Sequence, residues 1–281
     1  MIWVRVLVCS RSDAASVTIR DALVSTDAWS VDDATFRSAA VLRRGEARLV
    51  EVEGPSVRDE GLSADLRETG WAIDAVWFLS RHRAASGHPS LTVHPIGNHA
   101  GNDLGGRERH VSPAAPRDMG ALLRRLRVHR DDQGLPHSVT YEATHHGPAM
   151  DLPSLFVEIG SDERWYEDPA SGRALAAAVT DVLDGGGAPA ADAPVLVGVG
   201  GGHYVPRHTD VALDAQADFG HFVPAYAVDP EDEDPGALAR ALEATPGAAG
   251  VYVHKKGLKG PQRQRVNAWI DALGVEAWER G

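Results

Sequence analysis

Short apolar runs alternating with helix-patterned segments constrain this chain most. Residues 74–80, 91–96, 138–144, 154–159, 194–199, 221–228 and 249–254 read as buried strands, and residues 2–9 as the first of them. Between them, residues 13–24, 118–129, 171–184, 209–217, 235–245 and 261–273 read as helices, with Asp13, Ser171 and Thr209 as opening caps. In the second of these, Met119, Leu122, Leu123 and Leu126 recur at helical spacing, with Arg124, Arg125, Arg127 and Arg130 on other faces. Strands separated by helices argue for an α/β fold built on a mostly parallel, doubly wound sheet. A hairpin of residues 38–43 and 46–52 about Arg44-Gly45 gives that sheet a mixed edge. There are no internal repeats, and the glycine-rich loop from Gly185 to Asp192 falls between a helix and a strand. The expectation is one domain over residues 1–281.

Composition narrows the chemistry. Cys9 is the only cysteine, which excludes an internal disulfide and a thiolate zinc cluster, so any metal must be held by His, Asp or Glu. No apolar run approaches the roughly 20 residues of a membrane span. Arg5 interrupts the N-terminal run, which reads as a strand rather than a signal peptide, and the chain is expected in the cytoplasm as a monomer. The formal charge of −12 is carried by an aspartate-rich, lysine-poor sequence, a composition suited to solvation in high salt. Such a surface repels a polyanion except at local basic patches.

The densest chemistry lies in Tyr141-Glu142-Ala143-Thr144-His145-His146-Gly147-Pro148. On an extended strand Glu142, Thr144 and His146 share one face and His145 the other. The two imidazoles can meet one ion only if the chain bends, which Gly147-Pro148 permits. The alternative is a core histidine beside a surface one; a carboxylate on the same strand favours function. Gly200-Gly201-Gly202-His203 follows an apolar strand and precedes a helix, so its amides could hold a developing oxyanion. Ser80-Arg81-His82, His94, Glu158 within an apolar strand, and His221 bring further His or Glu to other strand ends. Five such ends suggest a zinc ion held by His and carboxylate with a position open for water. His88, His99, His110, His129, His137, His208 and His254 read as surface or loop residues.

Six ordered motifs then carry a resemblance over nearly the whole length. They are Ser80-Arg81-His82; His94 with Gly97-Asn98; Tyr141 to Pro148; Glu158-Ile159-Gly160-Ser161; Gly200-Gly201-Gly202-His203-Tyr204 with Pro206; and Gly220-His221 with Pro224 and Tyr226. In these the chain resembles the archaeal and plant type of D-aminoacyl-tRNA deacylase. The resemblance implies a fold similar to the phosphorylase/peptidyl-tRNA hydrolase group, a D-aminoacyl-tRNA substrate, Zn2+ as cofactor and hydrolysis of the ester at the tRNA 3′ end. It makes His94, His145, His146, Glu158 and His203 the candidate zinc ligands. Glu142 becomes the candidate general base, His146 and His221 catalytic candidates, and Gly201 and Gly202 oxyanion donors. Which histidines bind metal and which move protons stays open. For tRNA phosphates the candidates are Lys255, Lys256 and Lys259, the only lysines, with Arg263 and Arg265; a second group is Arg124, Arg125, Arg127 and Arg130. Rejection of L-amino acids is expected to be steric.

Two other readings compete. A zinc-dependent peptidase or amidohydrolase acting on a small molecule could use the same metal site. A non-catalytic nucleotide- or RNA-binding module fits the His/Glu strand ends poorly, and the glycine run lacks the Gly-Lys-Ser/Thr ending of a P-loop.

Overall fold

A computed structural model describes residues 3–279, so residue 2 of the expected first strand lies outside the described residues. In chain order the elements are β1 (Trp3–Ser10), α1 (Ala14–Val24), β2 (Ser30–Phe36), β3 (Ala39–Arg44), β4 (Ala47–Val52), α2 (Leu62–Glu68), β5 (Ala72–Arg83), β6 (Ser90–His94), β7 (Gly97–Asn98) and β8 (His110–Val111). There follow α3 (Pro116–Asp132), β9 (Ser138–Tyr141), β10 (Ser154–Ser161), α4 (Glu163–Tyr166), α5 (Pro169–Leu183) and β11 (Val195–Val199). The last are α6 (Pro206–Leu213), β12 (Asp218–Val223), α7 (Gly236–Glu243), β13 (Ala248–Val253), α8 (Gly260–Leu273) and β14 (Ala277–Trp278).

The larger sheet has the order β2-β3-β4-β1-β5-β10-β6-β9. It is mixed, which corrects the expectation of a mostly parallel sheet: β2–β3, β3–β4 and β10–β6 are antiparallel. The physical reason for the inner reversal is length. The 84–89 connection from β5 is too short for the crossover that a parallel strand needs, so β6 must turn back. The smaller sheet, β12-β11-β13-β14, is parallel throughout.

Pleating divides each strand of the larger sheet between two faces. Leu7, Cys9, Trp77, Leu79 and Val157 join the core cluster with α1, α3 and α5, which also takes in Phe219 and Tyr252 of the smaller sheet. Val6, Val8, Val76, Phe78 and Phe156 face the other way, with Leu62 and Leu66 of α2. The helix α1 is opened by Asp13, whose carboxylate accepts from the Ala15 and Ser16 amides. Thr209 does not cap its helix. The chain turns helical at Pro206, and Thr209 is buried one turn in, its hydroxyl bonded to the Val205 carbonyl and the Tyr141 amide.

Candidate active site

The α2 side of the larger sheet continues beyond its apolar patch into a polar one. Phe78 on β5 pairs with Phe156 on β10, and the next same-face pair is Ser80 with Glu158. Across β10, Glu158 stands opposite Thr92, and Phe156 opposite His94. His82 therefore lies beside Gly160 on this same face. The glycine is required there. A Cβ on Gly160 would lie 2.4 Å from the Ser90 hydroxyl and 3.0 Å from the His82 ring. The polar patch lies on a sheet face as well as at strand ends, and two loops roof it.

The first loop follows β9. That strand ends at Tyr141, earlier than the expected 144, and the chain bends where the sequence allowed it. His146 adopts φ 44°, a left-handed conformation that a non-glycine residue holds only under local constraint. The bend defeats strand alternation and brings His145 and His146 to the same place, with ring centroids 4.1 and 4.9 Å from that of His94. Each ring is oriented by the backbone. The Nδ1 atoms of His94, His145 and His146 lie 3.0, 2.9 and 2.7 Å from the carbonyl oxygens of Pro95, Ala143 and Gly147. A carbonyl can only accept, so Nδ1 carries the proton and Nε2 keeps its lone pair. Donor atoms of the three residues lie within 4.8 Å of one another.

Burial and the neighbouring imidazoles keep these rings neutral. Burial pushes His94 down to about 4 and His146 to about 3, and burial with the closeness of His94 and His146 holds His145 well below its ordinary value. His94 Nε2 is buried with no hydrogen-bond partner. An unpaired buried acceptor is costly in isolation, and a metal ion would satisfy it. The donor set fits zinc: neutral imidazoles, each fixed through its far nitrogen by a backbone acceptor.

Beside them lies a second constellation. Glu142 is fully buried, with Oε1 2.9 Å from His82 Nδ1 and Oε2 2.9 Å from His203 Nε2, while His145 Nε2 is 3.5 Å from Oε2. Both close approaches are off line, so neither oxygen receives a well-directed hydrogen bond. Burial alone would raise the Glu142 carboxyl, but His203, His82 and the adjacent imidazoles hold it well below its ordinary value. Burial and the Glu142 charge push Glu158 well above its own. Two carboxyls in one dry pocket thus divide into an anion and an acid. Glu158 approaches His94 Nε2 and His82 Nδ1 at 3.7 Å each, too far for a hydrogen bond.

The second loop, between β11 and α6, supplies His203 and Tyr204. It is tied to the first by the Ala143 amide, which donates to the His203 carbonyl at 2.7 Å. The Tyr204 hydroxyl is 2.8 Å from His82 Nε2. His82 and Tyr204 were not among the expected site residues. Their signal was the motif position of Ser80-Arg81-His82 and of Tyr204 directly after His203.

Other expectations are corrected. His221 lies outside the constellation, and its ring nitrogens are committed to the Thr144 hydroxyl at 3.1 Å and the Ser112 carbonyl at 2.8 Å. Through these contacts it props the loop that carries the site. The Gly201 amide donates to the Gly257 carbonyl and the Gly200 amide to Val223, which leaves the Gly202 amide alone of the three for an oxyanion. His137 and His208 are fully buried rather than surface residues. Arg124 binds Asp218 and two carbonyls, Arg125 binds Asp181, and Arg130 binds the His137 carbonyl, so these guanidiniums are already engaged. Lys255, Lys256, Lys259 and Arg263 are exposed; Lys255 pairs with Glu279, and Arg265 donates to the Pro230 carbonyl.

An α/β scaffold with buried neutral imidazoles converging beside an ionised carboxylate is built for hydrolysis. Comparison with known proteins refines that class. Residues 69–278 match the family model described as D-aminoacyl-tRNA deacylase. Proteins of that name from Methanosarcina mazei and Thermococcus kodakarensis are each 33% identical, over 96% and 97% of this chain and 90% and 98% of their own lengths. One from Thermoplasma acidophilum is 34% identical over 96% of this chain and 97% of its own. A crystal structure of a conserved protein of unknown function superposes with a TM-score of 0.86 at 29% identity, covering 98% of this chain and 94% of that one. The chain belongs to the D-aminoacyl-tRNA deacylase family, a family of hydrolases.

Proposed function

We propose that this protein hydrolyses the ester between a D-amino acid and the 3′ end of tRNA, and so removes mischarged D-residues before they reach translation. The observation that carries this reading is the convergence of His94, His145 and His146 beside the buried, ionised Glu142. Those three histidines would hold zinc, with Glu158 close at hand. Bound there, the ion would supply Lewis acidity that brings a water to a pKa of about 7.

The remaining steps belong to this chain's own side chains. Glu142 accepts the proton of the attacking water as its oxygen bonds to the ester carbonyl carbon. His82 and His203 flank the carboxylate and hold it ionised and in place. His203 has a side chain 41% exposed, and so reaches from the buried acid to the solvent side. It passes the proton to the departing ribose oxygen as the C–O bond breaks. The Gly202 amide faces no competing acceptor and is the donor for the oxyanion. Lys256, Lys259 and Arg263 contact tRNA phosphates, while Lys255 is held by Glu279. The whole of residues 1–281 serves as one domain in this reading, supported by α3, which packs on β6 and β9 of one sheet and β12 of the other.

The test is deacylation of D-tyrosyl-tRNA and L-tyrosyl-tRNA by the purified protein, with its zinc content measured. The proposal requires a kcat/KM far higher for the D-ester and loss of both zinc and activity in His145→Ala. Equal rates on the two enantiomers, or full activity in a metal-free preparation, would refute it.

A further inference from the structure

A cavity borders the turn that follows β13. It is a cleft of about 740 Å³ at the carboxyl end of β13, walled by Arg207, Tyr252, Lys256, Asn267 and Trp278. Its chemistry is distinctive for so acidic a protein. Lys256 is exposed and enters no ion pair among the described residues, and Arg207 has only an exposed contact to Asp210 at 3.8 Å. Asn267 is exposed with no hydrogen bond among the described residues. Trp278 and Tyr252 meet edge to face, with centroids 5.6 Å apart. A carboxylate is present too: Glu279 lines the cleft and holds Lys255 at 2.8 Å, so the cations left for a ligand are Lys256 and Arg207.

The cleft is fastened to the catalytic loop. The Gly201 amide donates to the Gly257 carbonyl, and the His254 amide donates to the Val199 carbonyl. A Cβ on Gly257 would lie 2.5 Å from the Gly201 nitrogen, so the basic turn and the glycine run touch backbone to backbone. Arg207 follows His203 by four residues, a separation of at most about 14 Å along the chain.

Aromatic rings beside unpaired cations, with a free amide at hand, is the composition that binds single-stranded nucleic acid: rings stack bases, cations take phosphates and an amide reads a base edge. We infer that this cleft holds the unpaired nucleotide preceding the esterified terminal adenosine, its base on Trp278 and its phosphate between Arg207 and Lys256. This subsite rests on the deacylase reading and adds to it a device that aligns the ester with Glu142.

The experiment compares two substrates carrying one scissile bond, D-tyrosyl-tRNA and the D-tyrosyl ester of adenosine. The measured quantity is the ratio of their kcat/KM values. Trp278→Ala should lower that ratio about tenfold, the effect of losing one base–aromatic stack, through KM for the tRNA, and Trp278→Phe should restore most of it. Arg207→Ala, which leaves the strand bearing Trp278 intact, should lower the same ratio and reduce the salt slope for tRNA by about one. Ratios equal to wild type in both alanine variants would overturn the subsite while leaving the deacylase reading in place. Wild-type protein that cleaves neither ester would overturn the deacylase reading itself.

Discussion

The contact from Tyr204 to His82 offers a quantitative test of the proposed mechanism. His82 is 5% exposed, with Nδ1 2.9 Å from Glu142 Oε1 and Nε2 2.8 Å from the Tyr204 hydroxyl. In its neutral form a ring that presents N–H to the carboxylate accepts at Nε2, and the tyrosine then donates. Tyr204→Phe deletes that donor and little else. It leaves a buried acceptor unpaired, at a cost of roughly 1–3 kcal/mol. The ring can escape by moving its proton to Nε2, which turns a lone pair on Glu142 and removes the support of the carboxylate. The cost corresponds to about 5- to 150-fold in the fraction of correctly set rings. A cleft of about 340 Å³ lined by Ser90, Thr140 and Tyr204 adjoins the hydroxyl, so water can replace it in part and sets the lower end of that range. Single-turnover deacylation of D-tyrosyl-tRNA should therefore slow by about 5-fold or more with KM little changed, and His82→Gln should be slower still. An unchanged rate, or a loss confined to KM, would refute the reasoning and place Tyr204 on the substrate instead.

Further outcomes follow from other residues. His94→Ala removes one of three converging lone pairs and should abolish stoichiometric zinc binding by elemental analysis without changing the far-ultraviolet circular dichroism. Asp218, fully buried between Arg117 and Arg124 at 2.9 Å each, should be structural: Asp218→Ala leaves the buried Arg124 without its counter-charge and should cost roughly 3–5 kcal/mol in urea denaturation. Burial lowers His208 and His221, both fully buried, to about 3. Their neutral forms are favoured in the folded state, so stability is complete above the unfolded value near 6.5 and falls as acid protonates the unfolded chain down to about 3. The two together should cost roughly 4 kcal/mol between pH 7.5 and pH 5. His208→Phe should flatten that slope, and a slope equal to wild type would show that His208 already titrates normally in the folded protein.

The strand-and-helix alternation was legible because each element carries its own periodicity. The residues read as 118–129 became α3, and those read as 171–184 became α5. What local pattern does not encode is direction. Nothing in Ser90–His94 distinguishes a strand parallel to β10 from one antiparallel to it; the short 84–89 connection decides, and only when the strand's partner is known. Thr209 misled for a related reason. It has the composition of a cap, yet Pro206 starts the helix earlier, and the threonine hydroxyl is needed to hold the Tyr141 amide across the molecule.

The site shows the same division. Glu142, His145 and His146 announced themselves because three chemically costly side chains lie within five residues, and their meeting depended on a bend that Gly147-Pro148 allowed. His82 gave a weaker signal, being an isolated histidine at the end of an apolar strand. Its role depends on Gly160, two strand positions beyond Glu158 and directly across from it, whose missing side chain makes room for the ring. His221 erred in the opposite direction. Composition cannot distinguish an imidazole that moves protons from one whose nitrogens are committed to a hydroxyl and a carbonyl. The difference is a matter of hydrogen-bond partners drawn from β8–α3 and the Tyr141–Pro148 loop, far apart in sequence. A histidine therefore counts as a candidate for chemistry only when at least one ring nitrogen lacks a structural partner, and His94 meets that measure with Nε2 buried and unpaired beside the rings of His145 and His146.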